Sequence, residues 1–206
     1  MPRKREGEVD ESKRATLRRF AALGAASPFV GLASAGTSES DSDAPGAITG
    51  YLAATPGAHF SKIRDDLQLG TGETQHHLRR LESEGAVESR KDGDYRRYFP
   101  AGRFDEFEQI ALGYLRRETP RGIVIALLED PSATAGEIAN RLGVSRPTVS
   151  TSAKQLDDTG LLSREDGYAV ETPETLLVLL VRYADSFGED AVQLAAHADE
   201  FVAYTG

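Results

Sequence analysis

One pattern occurs twice in this chain. Residues 48–87 read ITGYLAATPGAHFSKIRDDLQLGTGETQHHLRRLESEGAV, and residues 123–162 read IVIALLEDPSATAGEIANRLGVSRPTVSTSAKQLDDTGLL. Eleven positions match at a constant offset of 75 residues without a gap. In both copies a charged segment containing Asp-Gly follows. Self-similarity on this scale indicates one supersecondary unit that is used twice.

Each copy reads as three helices followed by a hairpin. In the first copy, apolar spacing predicts a helix from near Ala47 to Pro56, a second at 61–68 and a third at 73–84, with Thr71 as N-cap. In the second copy, Ile123 lies on the first helix and 135–142 form the second. Ser145 is predicted to cap the third, with Pro147 in its first turn, where proline costs little.

The predicted hairpins differ between the copies. In the first, strands 86–90 and 95–99 flank a Lys91–Asp94 loop whose Gly93 suits a positive φ angle. In the second, shorter strands at 161–164 and 168–171 flank Glu165-Asp166-Gly167. The fold class is therefore mainly α with small β-hairpins, in two domains. The predicted divisions are an N-terminal arm (1–45), a first domain (46–101), a bridging helix (102–118), a second domain (119–171) and C-terminal helices (172–206).

Composition argues against an enzyme. The 206 residues include no cysteine, so disulfides and thiolate metal sites are excluded, and the four histidines are scattered. The adjacent His76 and His77 point in different directions on a helix and are not expected to share a metal ion. No nucleophile–base motif or glycine-rich phosphate loop is found. We therefore expect neither catalysis nor a cofactor.

The negative charge is concentrated beyond the N-terminal region. The net charge is −9, yet residues 1–36 hold seven Lys/Arg against four Asp/Glu, which leaves −12 for the rest. Lysine is scarce, and aspartate and small residues are common, as in proteins of salt-loving archaea. In concentrated salt the Debye length shrinks to about 3 Å, so an acidic body repels DNA far less than in dilute buffer. Acidity does not exclude a DNA partner here.

The N-terminal arm has two interpretations. Arg18-Arg19 precede an almost wholly apolar or small stretch at 20–35, and a polar linker follows at 36–45. This order resembles a twin-arginine export signal, which would make residues 18–35 a membrane-associated or exported segment. The stretch is too short for an ordinary membrane-spanning helix of about 20 residues. The alternative is a loosely packed arm on a cytoplasmic protein.

Two segments resemble known DNA-binding modules. GVSRPTVSTSAKQLDDTGLLSREDGY, residues 143–168, is similar to the helix-turn-helix and wing of MarR-like winged-helix regulators. LGTGETQHHLRRLESEGAVESRKDGDYRRYFP, residues 69–100, resembles the same stretch of archaeal winged-helix regulators. The whole of about 47–171 resembles the tandem winged-helix proteins of haloarchaea. The resemblance implies two winged helix-turn-helix domains that bind double-stranded DNA without a cofactor.

The third helix and hairpin of each copy supply the candidate DNA contacts. In the first copy the hairpin cations suit phosphate contact, while the helix offers base-reading side chains such as Gln75 for adenine. In the second copy the hairpin is acidic, but the helix opens with small hydroxyl residues and with Arg146, the best candidate for a guanine contact. The first set is Thr71, Gln75, His76, Arg79, Arg90, Lys91, Arg96 and Arg97; the second is Ser145, Arg146, Thr148, Ser150, Thr151 and Lys154.

The second copy departs from the family pattern. Thr151-Ser152 stand where related helices often have Arg or His, and Ala153 stands where they have a large apolar residue. Two alternatives stay open for this copy: a weak DNA contact, or a contact with protein.

The C-terminal residues predict two further helices, at 174–187 and 190–204, rich in Leu, Val and Ala. In one interpretation these helices cap the second domain and pack on the bridging helix. In the other, which we favour, they form a homodimer interface together with the bridging helix. The sequence as a whole favours a sequence-specific, DNA-binding transcription regulator. The alternative is a protein-interaction module built on winged helices, membrane-tethered or exported.

Overall fold

The computed structural model describes residues 43–198. The chain divides into two compact units, of which the first ends at Asp105 and the second begins at Glu106. Our interpretations of residues 1–42, which include the export-like segment, and of residues 199–206 lie outside the described residues. No helix in the described range is long and apolar enough to cross a membrane.

The first unit is a three-helix body with a three-stranded sheet. Its elements are α1 (Asp43–Ala54), β1 (Ala58–His59), α2 (Phe60–Asp66), α3 (Thr71–Ser83), β2 (Val87–Asp92) and β3 (Tyr95–Pro100). The strands are antiparallel in the order β1-β3-β2, so β3 is central. The three helices and the hairpin confirm the predicted order, and β1 is an addition. A strand of two residues carries no period that the sequence can reveal.

The repeated apolar positions form the core of the first unit. Helix α1 packs on α3 and on β3, and α2 packs on α3. Burying one apolar stripe per helix is what holds so small a body together. The core side chains include Ile48, Tyr51, Leu52, Ile63, Leu67, Leu78, Leu81, Val87 and Tyr98.

The second unit repeats the arrangement and extends it. Its elements are α4 (Glu106–Leu115), α5 (Glu118–Glu129), α6 (Ala135–Leu142), α7 (Arg146–Asp157), β4 (Leu162–Ser163), β5 (Ala169–Val170), α8 (Pro173–Arg182), α9 (Ala184–Phe187) and α10 (Glu189–Ala196). Strands β4 and β5 form a separate two-stranded hairpin. The predicted cap is confirmed, since Ser145 Oγ accepts from the N–H of Thr148 at 3.2 Å.

Three predicted boundaries are wrong. Asp43–Pro45 belong to α1 rather than to a linker, and Pro45 lies in the first turn, where its missing N–H costs nothing. Gly70, not Thr71, is the N-cap of α3, and its N–H donates to Glu73 Oε2 at 3.1 Å. The helix predicted at 174–187 is interrupted at Tyr183, whose backbone leaves the helical region (φ −116°, ψ 21°).

The C-terminal helices pack within the second unit. Helix α8 packs on α4, and α10 packs on α5. The buried Arg121 of α5 joins α10 to the end of α4: its Nε donates to both Asp190 oxygens, at 2.8 and 3.0 Å, and its Nη1 donates to the carbonyl of Leu115 at 3.1 Å. These contacts are those of the capping interpretation. Val178, Val181 and Val192 remain exposed, and dimerisation through these helices stays a prediction.

The two copies end their second helix in the same way with different residues. Gln68 (φ 55°) and Gly143 (φ 64°), which are 75 positions apart, both adopt the left-handed conformation. The next N–H then bonds back across the turn: Leu69 donates to the carbonyl of Arg64 at 2.9 Å, and Val144 donates to that of Ala139 at 3.1 Å. Only glycine adopts this conformation without a penalty from its own Cβ.

We expect Gln68→Gly to stabilise the protein by about 0.5 kcal/mol, because relief of the left-handed strain exceeds the added entropy of the unfolded chain. Gly143→Ala should destabilise it by about 1 kcal/mol. A Cβ at Gly143 meets no atom within 4 Å, so this change tests conformation alone. Urea unfolding of both variants measures the effects, and a Gln68→Gly variant less stable than the parent contradicts the assignment.

Candidate nucleic-acid interface

Helix α3 is buried on one side and open on the other. It follows α2 after a short turn, which is the helix-turn-helix arrangement. Thr74, His77, Leu78 and Leu81 are buried against the body. The four residues predicted to contact DNA from this helix, Thr71, Gln75, His76 and Arg79, are all exposed and lie on its other face.

The hairpin brings two of the predicted cations together. Lys91 of β2 lies directly opposite Arg96 of β3. Cross-strand partners share a face of a sheet, so these two side chains are neighbours on one face. Both are exposed, whereas Arg90, which is partly buried, belongs to the opposite face with Arg97. The loop between the strands is two residues long and begins at Gly93 (φ 58°).

The prediction of Arg97 as a phosphate ligand is wrong. Its side chain is 5% exposed, its Nε donates to the Asp92 carboxylate, and its Nη1 donates to the carbonyl of Gly57 at 3.0 Å. Its guanidinium also lies 5.8 Å from the centre of the Tyr95 ring. Arg97 therefore fastens the hairpin to the corner before β1 and is not available to a partner.

Replacing the two adjacent arginines of β3 should therefore affect the free energy of unfolding to different extents. Arg97→Ala removes a buried guanidinium together with its bonds to Asp92 and to the carbonyl of Gly57, and should lower the free energy of unfolding by about 2–3 kcal/mol. Arg96→Ala should change it by less than about 0.5 kcal/mol, because the Arg96 side chain is 62% exposed. Denaturant unfolding of the two variants compares them. Equal stability losses would contradict the assigned burial.

His59 connects α2 to the hairpin. It is the N-cap of α2, its Nδ1 accepts from the N–H of Lys62 at 3.3 Å, and its ring lies 5.0 Å from that of Tyr95. Burial first, and then the positive charges of Arg97 and Lys62, lower the pKa of His59. Asp65 and Asp66 oppose this shift. Because a protonated Nδ1 cannot accept, the cap requires the neutral ring.

This shift predicts that stability falls on acidification. The unfolded chain takes up a proton at His59 near pH 6.5, whereas the folded chain resists it, so stability present at neutral pH is lost below about pH 6.5. His59→Asn keeps a capping oxygen but does not titrate. Between about pH 7.5 and pH 5 the variant should lose less stability than the parent. Thermal unfolding at both pH values measures these losses. Equal losses in the variant and the parent would show that His59 does not cause the fall in stability on acidification.

All six residues predicted on α7 are exposed, but four already have contacts within the chain. Ser145 Oγ caps the helix and lies 2.8 Å from Thr148 Oγ1, and Lys154 Nζ pairs with Asp158 at 2.7 Å. The guanidinium of Arg146 lies against the first turn of α6, since a Cβ at Gly136 would lie 3.0 Å from its Nη2. Ser150 and Thr151 complete an open face of small hydroxyl side chains.

The sequence did not reveal a link between α3 and the hairpin. Ser89 Oγ of β2 donates to Glu82 Oε1 of α3. Arg96 Nη1 lies 3.3 Å from Ser89 Oγ and 3.8 Å from that same Glu82 oxygen. Helical periodicity places Glu82 on α3, and no local pattern in the sequence pairs it with a strand.

Within residues 43–198, no three His, Asp or Glu side chains come together as a metal site. The rings of His76 and His77 meet edge to face with centroids 5.3 Å apart, and one ring is exposed while the other is buried.

Comparison with known proteins agrees with this geometry. Residues 42–112 match a family model described as an N-terminal HTH domain, and residues 121–168 match the MarR family. Neither model describes an enzyme. A relative named as an uncharacterized HTH-type transcriptional regulator of Methanocaldococcus jannaschii is 31% identical over 121 residues. The match covers 58% of this chain but only 30% of the relative. No solved structure matches.

Proposed function

We propose that this chain, a tandem winged helix-turn-helix protein of the MarR-like regulator type, is a sequence-specific DNA-binding transcription regulator. One observation carries the proposal: the exposed face of α3 and the exposed Lys91–Arg96 pair lie in the same small unit. A helix of this kind can enter the major groove while a hairpin beside it reaches the phosphate backbone.

The hairpin supplies affinity in this proposal. Lys91 and Arg96 are adjacent cations on an exposed face, as phosphate contact requires. Such contacts are independent of sequence and release counterions from DNA, so their strength depends steeply on salt. Tyr95, which is 52% exposed, adds an aromatic surface at the tip of the hairpin, on the same face as Arg97.

The third helices supply specificity. Gln75 has the amide geometry that pairs with adenine, and Arg79 suits guanine or a phosphate. Within the described residues Arg79 has no ion-pair partner, so its guanidinium is available. On α7, Arg146 is the candidate for guanine, while Thr148, Ser150 and Thr151 are small enough for close approach to base edges.

The proposed partner is double-stranded DNA, and the contact requires no cofactor. A regulator of the chromosome acts in the cytoplasm, so a cytoplasmic location is part of the proposal. A homodimer through the C-terminal helices and α4, and membrane association through residues 18–35, remain separate predictions.

Replacing both Lys91 and Arg96 by Ala should weaken binding to a duplex of about 25 base pairs of random sequence by about 10- to 100-fold at low salt. Two lost phosphate contacts should also make the slope of log affinity against log salt shallower by about 2. Fluorescence anisotropy across a salt series measures both quantities.

The matched control is Arg182→Ala, which removes an exposed cation from α8 of the second unit. Its affinity should stay within about twofold of the parent. A double variant that binds duplex as tightly as the parent, with its fold intact, would contradict the proposed role of the hairpin.

A further inference from the structure

A charged contact joins helix α3 to the hairpin in the first unit. Glu82 Oε1 accepts from Ser89 Oγ, and Arg96 Nη1 lies 3.8 Å from that oxygen and 3.3 Å from Ser89 Oγ. The contact therefore joins the helix assigned to base reading with the arginine assigned to phosphate binding. All three partners are on one body, so DNA need not be present for it to form.

The Arg96 side chain is the more exposed partner of this contact. Its side chain is 62% exposed and that of Glu82 is 27% exposed. A separation of 3.8 Å is at the long end for an ion pair, and exposed pairs of this kind are weak. A phosphate that approaches Arg96 from solvent can therefore displace the carboxylate, but it must compete with it.

The buried phenol of Tyr98 lies near the same charges. Burial raises the pKa of the Tyr98 phenol, the nearby Glu82 carboxylate raises it further, and the Arg96 and Arg79 cations oppose the rise. Two arginines that are predicted to contact DNA, Arg79 and Arg96, therefore act on the same phenol as Glu82. The Glu82 carboxylate therefore lies near cations that are predicted to contact DNA.

We infer that Glu82 sets the affinity of the first unit for DNA, because its carboxylate occupies the position beside Arg96 that a DNA phosphate takes in the complex. The inference rests on the proposed function and adds a residue whose effect runs against binding. Ser89 holds the Glu82 carboxylate in this position by donating to it. Removing the charge of Glu82 strengthens binding only while Arg96 is present to be released.

A double-mutant cycle tests this inference. Glu82→Gln keeps the size of the side chain and can still accept from Ser89. In the full chain it should tighten binding to random-sequence duplex by roughly two- to fivefold. In the Arg96→Ala background the same change should have no effect beyond that of Asp94→Asn. That control removes the exposed carboxylate of Asp94 from the hairpin loop. Within the described residues Asp94 makes no ion pair.

Fluorescence anisotropy gives the affinities, and thermal unfolding confirms that each variant is folded, with Glu82→Ala as a second neutralising variant. An equal gain with and without Arg96 would show that Glu82 acts only as surface charge, and a loss of affinity would show that it positions Arg96 instead. Either result overturns the inference but leaves the proposed function intact. Absence of duplex binding by the folded parent chain would instead overturn the proposed function, and the inference with it.

Discussion

The proposed interface depends on the burial of the central strand β3. Three consecutive residues, Arg97, Tyr98 and Phe99, are at most 7% exposed, and Arg97 is bonded to Asp92 and to the carbonyl of Gly57. With that part of the strand fixed, Arg96 can only face outward beside Lys91. Helix α3 packs against the same sheet through β2, so its exposed face and the two cations keep a constant geometry. In the proposed function, the first unit therefore presents the helix and the hairpin to a duplex together.

Sequence reasoning succeeded where the signal is periodic or local. The offset of 75 residues predicted both three-helix bodies, and the residues around Ser145 predicted its cap, because a capping oxygen acts within one turn. It failed where the outcome depends on a distant partner. Alternation along β3 places Arg96 and Arg97 on opposite faces, but which face is covered depends on Gly57, 40 residues away. The link from Glu82 to Ser89 and Arg96 was missed because it joins a helix to two strands, and no periodic pattern pairs residues across such elements.

The two copies share the three-helix body but differ in the side chains that their hairpins and third helices expose. The first carries a long hairpin with exposed cations, and its third helix offers an amide and an arginine. The second has strands of only two residues and an acidic hairpin, while its third helix exposes small hydroxyl side chains and Arg146. In the proposed function the first unit therefore supplies most of the affinity. The second contributes base contacts that work at close range. The net charge of −9 is compatible with this division, because the cations that matter are clustered on one hairpin.

In the proposed function, the exposed faces of α3 and α7 distinguish one DNA sequence from another. The most direct test incubates the full chain with a duplex library randomised at its centre, recovers the bound fraction over several salt concentrations, and sequences it. The account predicts enrichment of a recurring sequence that is lost when Gln75 and Arg146 are replaced by Ala. A bound fraction with the same composition as the input library, recovered by a folded protein, would contradict it.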